Sequence, residues 1–177
     1  LNCDLQYHIR SFGNLNSKKI FYVIQRYKGG GMFSNINFII NHLYIAEKLN
    51  CIPIIDFKNF PTKYNVVSKI NASHNVWDYY FRPINKYRLD EVYKSKFVII
   101  SSNKTMGIKE FDSFSNLNNE HYKIFINYFK PLPKIKNEID KFYKSHFKNQ
   151  NVLGVHFRGS DMKTQERHPF PATEKQI

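Results

Sequence analysis

Cysteine, acidic residues and long apolar runs are all scarce in this chain, and each shortage closes off a class of protein. The two cysteines, Cys3 and Cys51, make neither a C-x-x-C pair nor a metal-ligand spacing. No disulfide framework is expected, and a reducing, cytoplasmic setting is the default. No run comes near the roughly eighteen apolar residues of a membrane-spanning helix, and the N-terminus lacks a signal-peptide pattern. A dinucleotide-binding G-x-G-x-x-G fingerprint fails at Gly29-Gly30-Gly31, because Phe33 and Ser34 stand where the later spacing is read. Arginine occurs only six times. The sequence opens on Leu1 rather than Met, so the expectation is of a longer reading frame.

What is present is basic and aromatic. Lys and Arg number 27 against 14 Asp and Glu, a net charge of +13 with a pI near 9.7. Such a balance favours polyanions: nucleic acid, an anionic membrane surface or phosphorylated small molecules. The lysines are scattered, however, and read first as a solvated surface. No stripe of lysines interleaved with exposed aromatics appears, so no specific nucleic-acid partner is expected. Peripheral contact with an anionic membrane stays open. Hydrophobic residues make up 42% of 177 residues, enough for the core of one domain or slightly more.

Along the chain, Leu1 to Lys19 reads as an irregular lead-in. Ile20 to Ile24 is a β-branched and aromatic run suited to a buried strand. Gly29 to Gly31 break it, and Ser34 to Asn50 carries apolar residues at helical spacing, with Ser34 or Asn35 as candidate caps. Cys51 to Phe57 reads as a second strand. The succession is a βαβ unit, which builds a parallel sheet. Lys58 to Asn75 is a loop, Val76 to Tyr80 an aromatic turn and Leu89 to Tyr93 a short helix. Phe97 to Ile100 is a third strand, and Leu117 to Phe129 and Ile135 to Phe147 are helices. Val152 to Phe157 is a fourth strand, and Ala172 to Ile177 opens another helix. The expected class is α/β, a Rossmann-like parallel sheet with flanking helices. Residues 1–150 form one domain, and residues 151–177 begin a second.

Two places concentrate chemistry. The first is His156-Phe157-Arg158-Gly159-Ser160-Asp161. On a strand, alternate residues share a face, so His156 and Arg158 stand together at the carboxyl end, where parallel α/β sheets bind ligands. A guanidinium fork donates two parallel bonds to a diphosphate. Gly159 allows close backbone approach, Ser160 offers a hydroxyl, and Asp161 orients the arginine or accepts from a ribose. The plainer reading is a strand-end ion pair between Arg158 and Asp161. The second place is Gly31-Met32-Phe33-Ser34-Asn35, where amides at a helix N-terminus suit an anionic or hydroxyl-rich ligand. Its plainer reading is a turn and a cap.

Both segments resemble motifs of one enzyme group. The string H-x-R-x-[ST]-D, here His156 to Asp161, is similar to the signature of the α1,6-fucosyltransferase and protein O-fucosyltransferase superfamily. Gly31 to Asn35 is similar to the G-x-F-x-N loop of the O-fucosyltransferases and to a G-x-F-S-N loop of bacterial relatives. The resemblance implies a GT-B fold, of which this chain would supply the N-terminal, acceptor-side domain and the start of the nucleotide-sugar domain. It implies a transferase active in polysaccharide biosynthesis, moving a sugar from GDP-fucose to a glycan or lipid-linked saccharide with inversion. No metal and no cofactor beyond that donor are implied, in keeping with the lack of an Asp-x-Asp motif. By resemblance, Arg158 and Asn35 are the catalytic positions, and His156, Arg158, Gly159, Ser160, Asp161 and Gly31 bind the donor. The sequence departs from the α1,6 branch at Gly159, where that branch has a second arginine. Rival readings are a non-catalytic fragment of such an enzyme and a basic nucleic-acid-binding α/β module.

Three further groups stay open at this stage. Trp77, Tyr79, Tyr80 and Phe81 form either core or a sugar-stacking face. Asp56 either faces a cleft or caps a loop. His168 belongs to the Arg158 site or to a solvated loop. The sequons Asn71-Ala72-Ser73 and Asn103-Lys104-Thr105 are expected by chance in a chain with twenty Asn.

Overall fold

The structure, a computed structural model, describes residues 9–26, 31–101 and 119–154. The run Phe21-Tyr22-Val23-Ile24 is fully buried and forms the second half of strand β2 (Leu15–Ile24). With β1 (Ile9–Arg10), β3 (Ile52–Ile55) and β4 (Ser95–Ile100) it makes a sheet ordered β1-β4-β2-β3. β2 pairs in parallel with β3 and with β4, whereas β1 runs antiparallel to β4. The expected parallel sheet is therefore a mixed one, three parallel strands with an antiparallel edge.

Both faces of the parallel core are covered, which is why its strands read as continuous apolar runs rather than alternating ones. Tyr22, Ile24, Ile55 and Ile99 pack with Phe38, Ile39, Leu43 and Ala46 of helix α1 (Met32–Lys48). Phe21, Val23, Ile54 and Val98 pack on the opposite face with Val92 of helix α3 (Leu89–Val92) and with Tyr87. Each fully buried Val, Leu, Ile or Phe among them contributes about 1.5–3 kcal/mol of transfer free energy. Helix α2 (Trp77–Tyr80) and helix α4 (Asn119–Tyr128) join the α1 side, where Ile124 enters the core and His121 stacks on Tyr44 at 5.0 Å.

α1 ends in a Schellman arrangement. Asn50 adopts a left-handed φ of 53°, its N–H donates to Glu47, and Cys51 N–H donates to Ala46. Asparagine tolerates that conformation better than a β-branched residue would. The helix begins earlier than expected, and Ser34 and Asn35 are not its caps. Gly31 occupies the N-cap, with no side-chain cap bond, and both residues lie inside the first turn.

Two further expectations are corrected. The supposed irregular lead-in contains β1 and the first five residues of β2. Polar Asn16, Ser17, Lys18 and Lys19 carry no apolar pattern, but long-range partners order them. The Asn16 amide donates to Glu91 and Ser95, and Leu15 N–H donates to the Lys94 carbonyl. At the other end, residues 152–154 of the predicted fourth strand form no strand, and Val152 and Leu153 are exposed. No described residue offers them a ladder. The remainder of that strand lies outside the described residues.

By contact density the chain divides into two units, Leu1–Lys136 and Asn137–Ile177. Helix α5 (Pro133–His146) crosses that boundary. Among the described residues no helix is long and apolar enough to cross a membrane, and no three His, Cys, Asp or Glu side chains cluster as metal ligands.

Candidate functional site

β3 and β4 flank β2 on opposite sides, so the strand order reverses at β2. Open α/β sheets bind ligands outside the carboxyl ends of their strands at such a switch point. Here the switch point is closed by backbone and amide bonds. Ser101, just past β4, donates its N–H to Val23, while Gln25 N–H donates to the Ser101 hydroxyl at 3.0 Å. The Gln25 side-chain amide donates to the Ser101 carbonyl.

Arg26 comes next, and α1 begins beside it. The guanidinium donates to the Ser34 hydroxyl at 2.8 Å and lies 4.6 Å from the centre of the Phe38 ring. Partial burial lowers its pKa from the ordinary value. Ser34, Phe38 and His42 recur every four residues and so share one face of α1. Phe38 contacts His42 with ring centres 4.2 Å apart, and Tyr22 O–H pairs with His42 Nδ1 at 2.7 Å. The result is a ladder from an accessible arginine into the sheet. His42 is fully buried, and burial first, then the Arg26 charge, hold its pKa down at about 3. It is neutral at physiological pH.

Three polar atoms of α1 have no partner among the described residues: Asn35 Oδ1 and Asn37 Oδ1 near its start and His42 Nε2 further along. Asn35 is only 4% exposed. Leaving a buried acceptor unpaired costs about 1–3 kcal/mol. Combined with the partial positive charge at the start of a 17-residue helix, the Arg26 fork and the Ser34 hydroxyl, the arrangement suits an anion or a polyhydroxylated ligand.

Sequence reasoning placed Gly31 and Asn35 here, and the structure brings both to the α1 N-terminus. Gly31 has an ordinary extended conformation, and a β-carbon there would meet nothing within 4 Å. Local packing does not demand a glycine at that position. Gly29 and Gly30 lie outside the described residues, as do His156, Arg158, Gly159, Ser160, Asp161 and His168. Arg26 was overlooked, although a signal for it existed. It is one of six arginines and stands two residues past a buried strand, a pattern close to the one that singled out Arg158.

Of the aromatic group, Trp77 and Tyr79 settle as core, Phe81 packs against it partly buried, and Tyr80 stays exposed. Trp77 and Tyr79 are 4% exposed, the Trp77 indole donates to the Arg82 carbonyl, and its ring stacks on Phe81 at 4.6 Å. The recess shared by Asn35, Trp77, Tyr80 and Phe81 measures about 20 Å³, the size of one water and too small for a sugar ring. Asp56 settles as a loop anchor. It is fully buried and accepts from Lys58 N–H, Asn59 N–H, the Asn59 amide and the Tyr93 hydroxyl, at 2.7–3.1 Å. Asn71 of the first sequon is committed too, its amide donating to the Asp78 and Tyr79 carbonyls. No protein-family model, no curated protein and no solved structure matches the chain.

Proposed function

We propose that the chain belongs to a nucleotide-sugar glycosyltransferase of the fucosyltransferase type and carries its acceptor-side, N-terminal Rossmann-like domain of a GT-B enzyme. The supporting observation is the Arg26 guanidinium held on the Ser34 hydroxyl at the start of α1. That pair falls on the segment, Gly31 to Asn35, that resembles the O-fucosyltransferase motif, in which Asn35 carries a buried oxygen with no partner among the described residues. The Arg158 motif adds a second likeness, and the basic surface suits a phosphorylated donor.

In the proposed reaction an acceptor hydroxyl oxygen attacks the anomeric carbon of the sugar. The new C–O bond forms as the bond to the diphosphate breaks, the acceptor proton is released, and GDP departs with inversion. The dominant barrier is negative charge growing on the leaving diphosphate. Fixed cations and amides lower it as an oxyanion hole does. Arg158 takes the diphosphate by resemblance; within the N-terminal unit Arg26 is a fixed cation beside the start of α1. By resemblance Asn35 orients a hydroxyl of sugar or acceptor, while in this structure its carbonyl oxygen is buried beside the one-water recess. Asn35 has no basicity at neutral pH and is not the general base.

Calorimetric titration with GDP-fucose tests the reading. Saturable binding by the full chain is expected, weakened roughly ten- to hundredfold in Arg158→Ala and in Arg26→Ala, the range for a lost charge-assisted contact. Equal binding by all three proteins, or no binding at all, rejects it.

A further inference from the structure

Away from the switch point, an open cleft of about 800 Å³ runs along the free edge of β3. One wall is the segment from Lys69 to Asp78 and the other is Pro83 to Asp90, with Ile54 and Ile55 as floor. A free sheet edge ordinarily invites a peptide strand. This one is already closed to it. Pro53 has no N–H, its carbonyl accepts from the Asn85 amide, and the Ile55 carbonyl accepts from Asn75 at 2.9 Å. The cleft is left for a ligand that reads side chains rather than backbone.

Those side chains are cationic. Lys58, Lys69, Lys86 and Arg88 line the cleft against two acids, Asp78 and Asp90. Asp90 is taken by Arg88 at 3.2 Å, and Asp78 accepts the Ser73 hydroxyl at 2.7 Å while burial pushes its pKa up. Lys58, Lys69 and Lys86 have no acidic partner among the described residues. The Tyr87 ring draws two ammonium groups to this wall, Lys19 at 4.7 Å and Lys86 at 5.7 Å from its centre.

The opposite wall is held rigid against its own preference. Asn71 and Ala72 have left-handed φ of 51° and 59°; asparagine tolerates such a value, but the β-carbon of Ala72 disfavours it. Reciprocal bonds between Ile70 and Ser73, together with the Asn71 amide on the Asp78 and Tyr79 carbonyls, keep the turn in place. Strain maintained this way, at the rim of a cleft with surplus positive charge, marks a preformed surface.

We propose that this cleft binds a small, multiply charged anion, a phosphorylated or carboxylated compound of sugar size. Its volume lies within the roughly 300–1,000 Å³ of small-molecule sites. The inference does not rest on the transferase reading, because none of these residues belongs to the switch-point site.

The test is titration of the full chain with fructose 1,6-bisphosphate, with citrate and with neutral fructose, following the backbone amides of Ala72, Ser73 and Tyr87 by NMR. Saturable shifts are expected with at least one anion and none with the neutral sugar. The anion that binds distinguishes phosphate from carboxylate. K69E/K86E, both at exposed positions, should weaken binding by about tenfold or more, whereas K141E/K144E on α5 should leave it unchanged. The milder K58Q/K86Q pair should weaken it in the same direction. Equal weakening by cleft and α5 variants would reduce the effect to diffuse charge and overturn the proposal. So would the absence of saturable shifts with either anion.

Discussion

Two strand ends in this molecule carry buried polar side chains, and they are finished differently. Past β3, Asp56 is fully buried and surrounded by four donors, one of them the Tyr93 hydroxyl 37 residues further along the chain. In α1, the helix that follows β2, Asn35 is almost as deeply buried, yet its oxygen meets no partner among the described residues, and the same holds for His42 Nε2. A fold tolerates an orphaned buried acceptor at a cost of about 1–3 kcal/mol. Asp56 has all its donors from the fold, whereas the Asn35 oxygen has none among the described residues, and that makes Asn35 the position to probe with a ligand. The contrast marks Asp56 as architecture and leaves the Asn35 oxygen without a structural partner among the described residues, although the sequence presents both as polar residues next to apolar runs.

The comparison breaks most readily at Asp56. Asp56→Ala should destabilise by about 3 kcal/mol or more, because it strands the Lys58 and Asn59 amides and the Tyr93 hydroxyl at once. Urea unfolding measures this, and a loss under about 1 kcal/mol would remove the distinction between the two ends. Gly13→Ala comes next. A β-carbon there would lie 2.5 Å from the Lys94 carbonyl oxygen, so the β1–β2 turn has to shift. A loss of about 1–3 kcal/mol is expected from such overpacking. Tyr93→Phe isolates one of the four donors to Asp56, and a smaller loss of about 1–2 kcal/mol is expected.

His42 sharpens the same comparison through pH. Its folded pKa is held near 3, below the ordinary 6.5, so the unfolded chain binds more protons in between. Stability attributable to His42 is complete above pH 6.5 and is lost as pH falls toward 3, with a slope of at most about 1.4 kcal/mol per pH unit. In His42→Gln that contribution to the slope should vanish, whatever the variant's stability at neutral pH. An unchanged acid slope in urea titrations would place the proton elsewhere.

Much of the parallel core was legible because it is buried on both faces. Phe21 to Ile24, Ile52 to Ile55 and Phe97 to Ile100 advertise themselves as apolar runs, and α1 as a periodic one. What escaped depends on distant partners. The polar half of β2 is ordered by Asn16 reaching Glu91 and Ser95, contacts that no local pattern encodes. The role of Asp56 hinges on Tyr93 in the same way. Val152 and Leu153 mislead in the opposite direction, since an apolar run becomes a strand only where a ladder receives it. At the candidate site Asn35 was legible from the glycine loop. Arg26 was legible in principle, as a rare arginine ending a buried strand, but a solvated strand end looks identical until Ser34 and Phe38 are seen to receive it.

The most direct measurement is thermal melting of Asn35→Leu beside the native chain, with and without GDP-fucose. If the unpaired oxygen serves a ligand, the variant melts at or above the native temperature, because an orphaned acceptor has been removed. It then gains little or nothing from the nucleotide sugar, whereas the native chain is stabilised by it. A variant that melts well below the native chain, or one that GDP-fucose stabilises equally, contradicts the assignment of Asn35 to ligand rather than to fold.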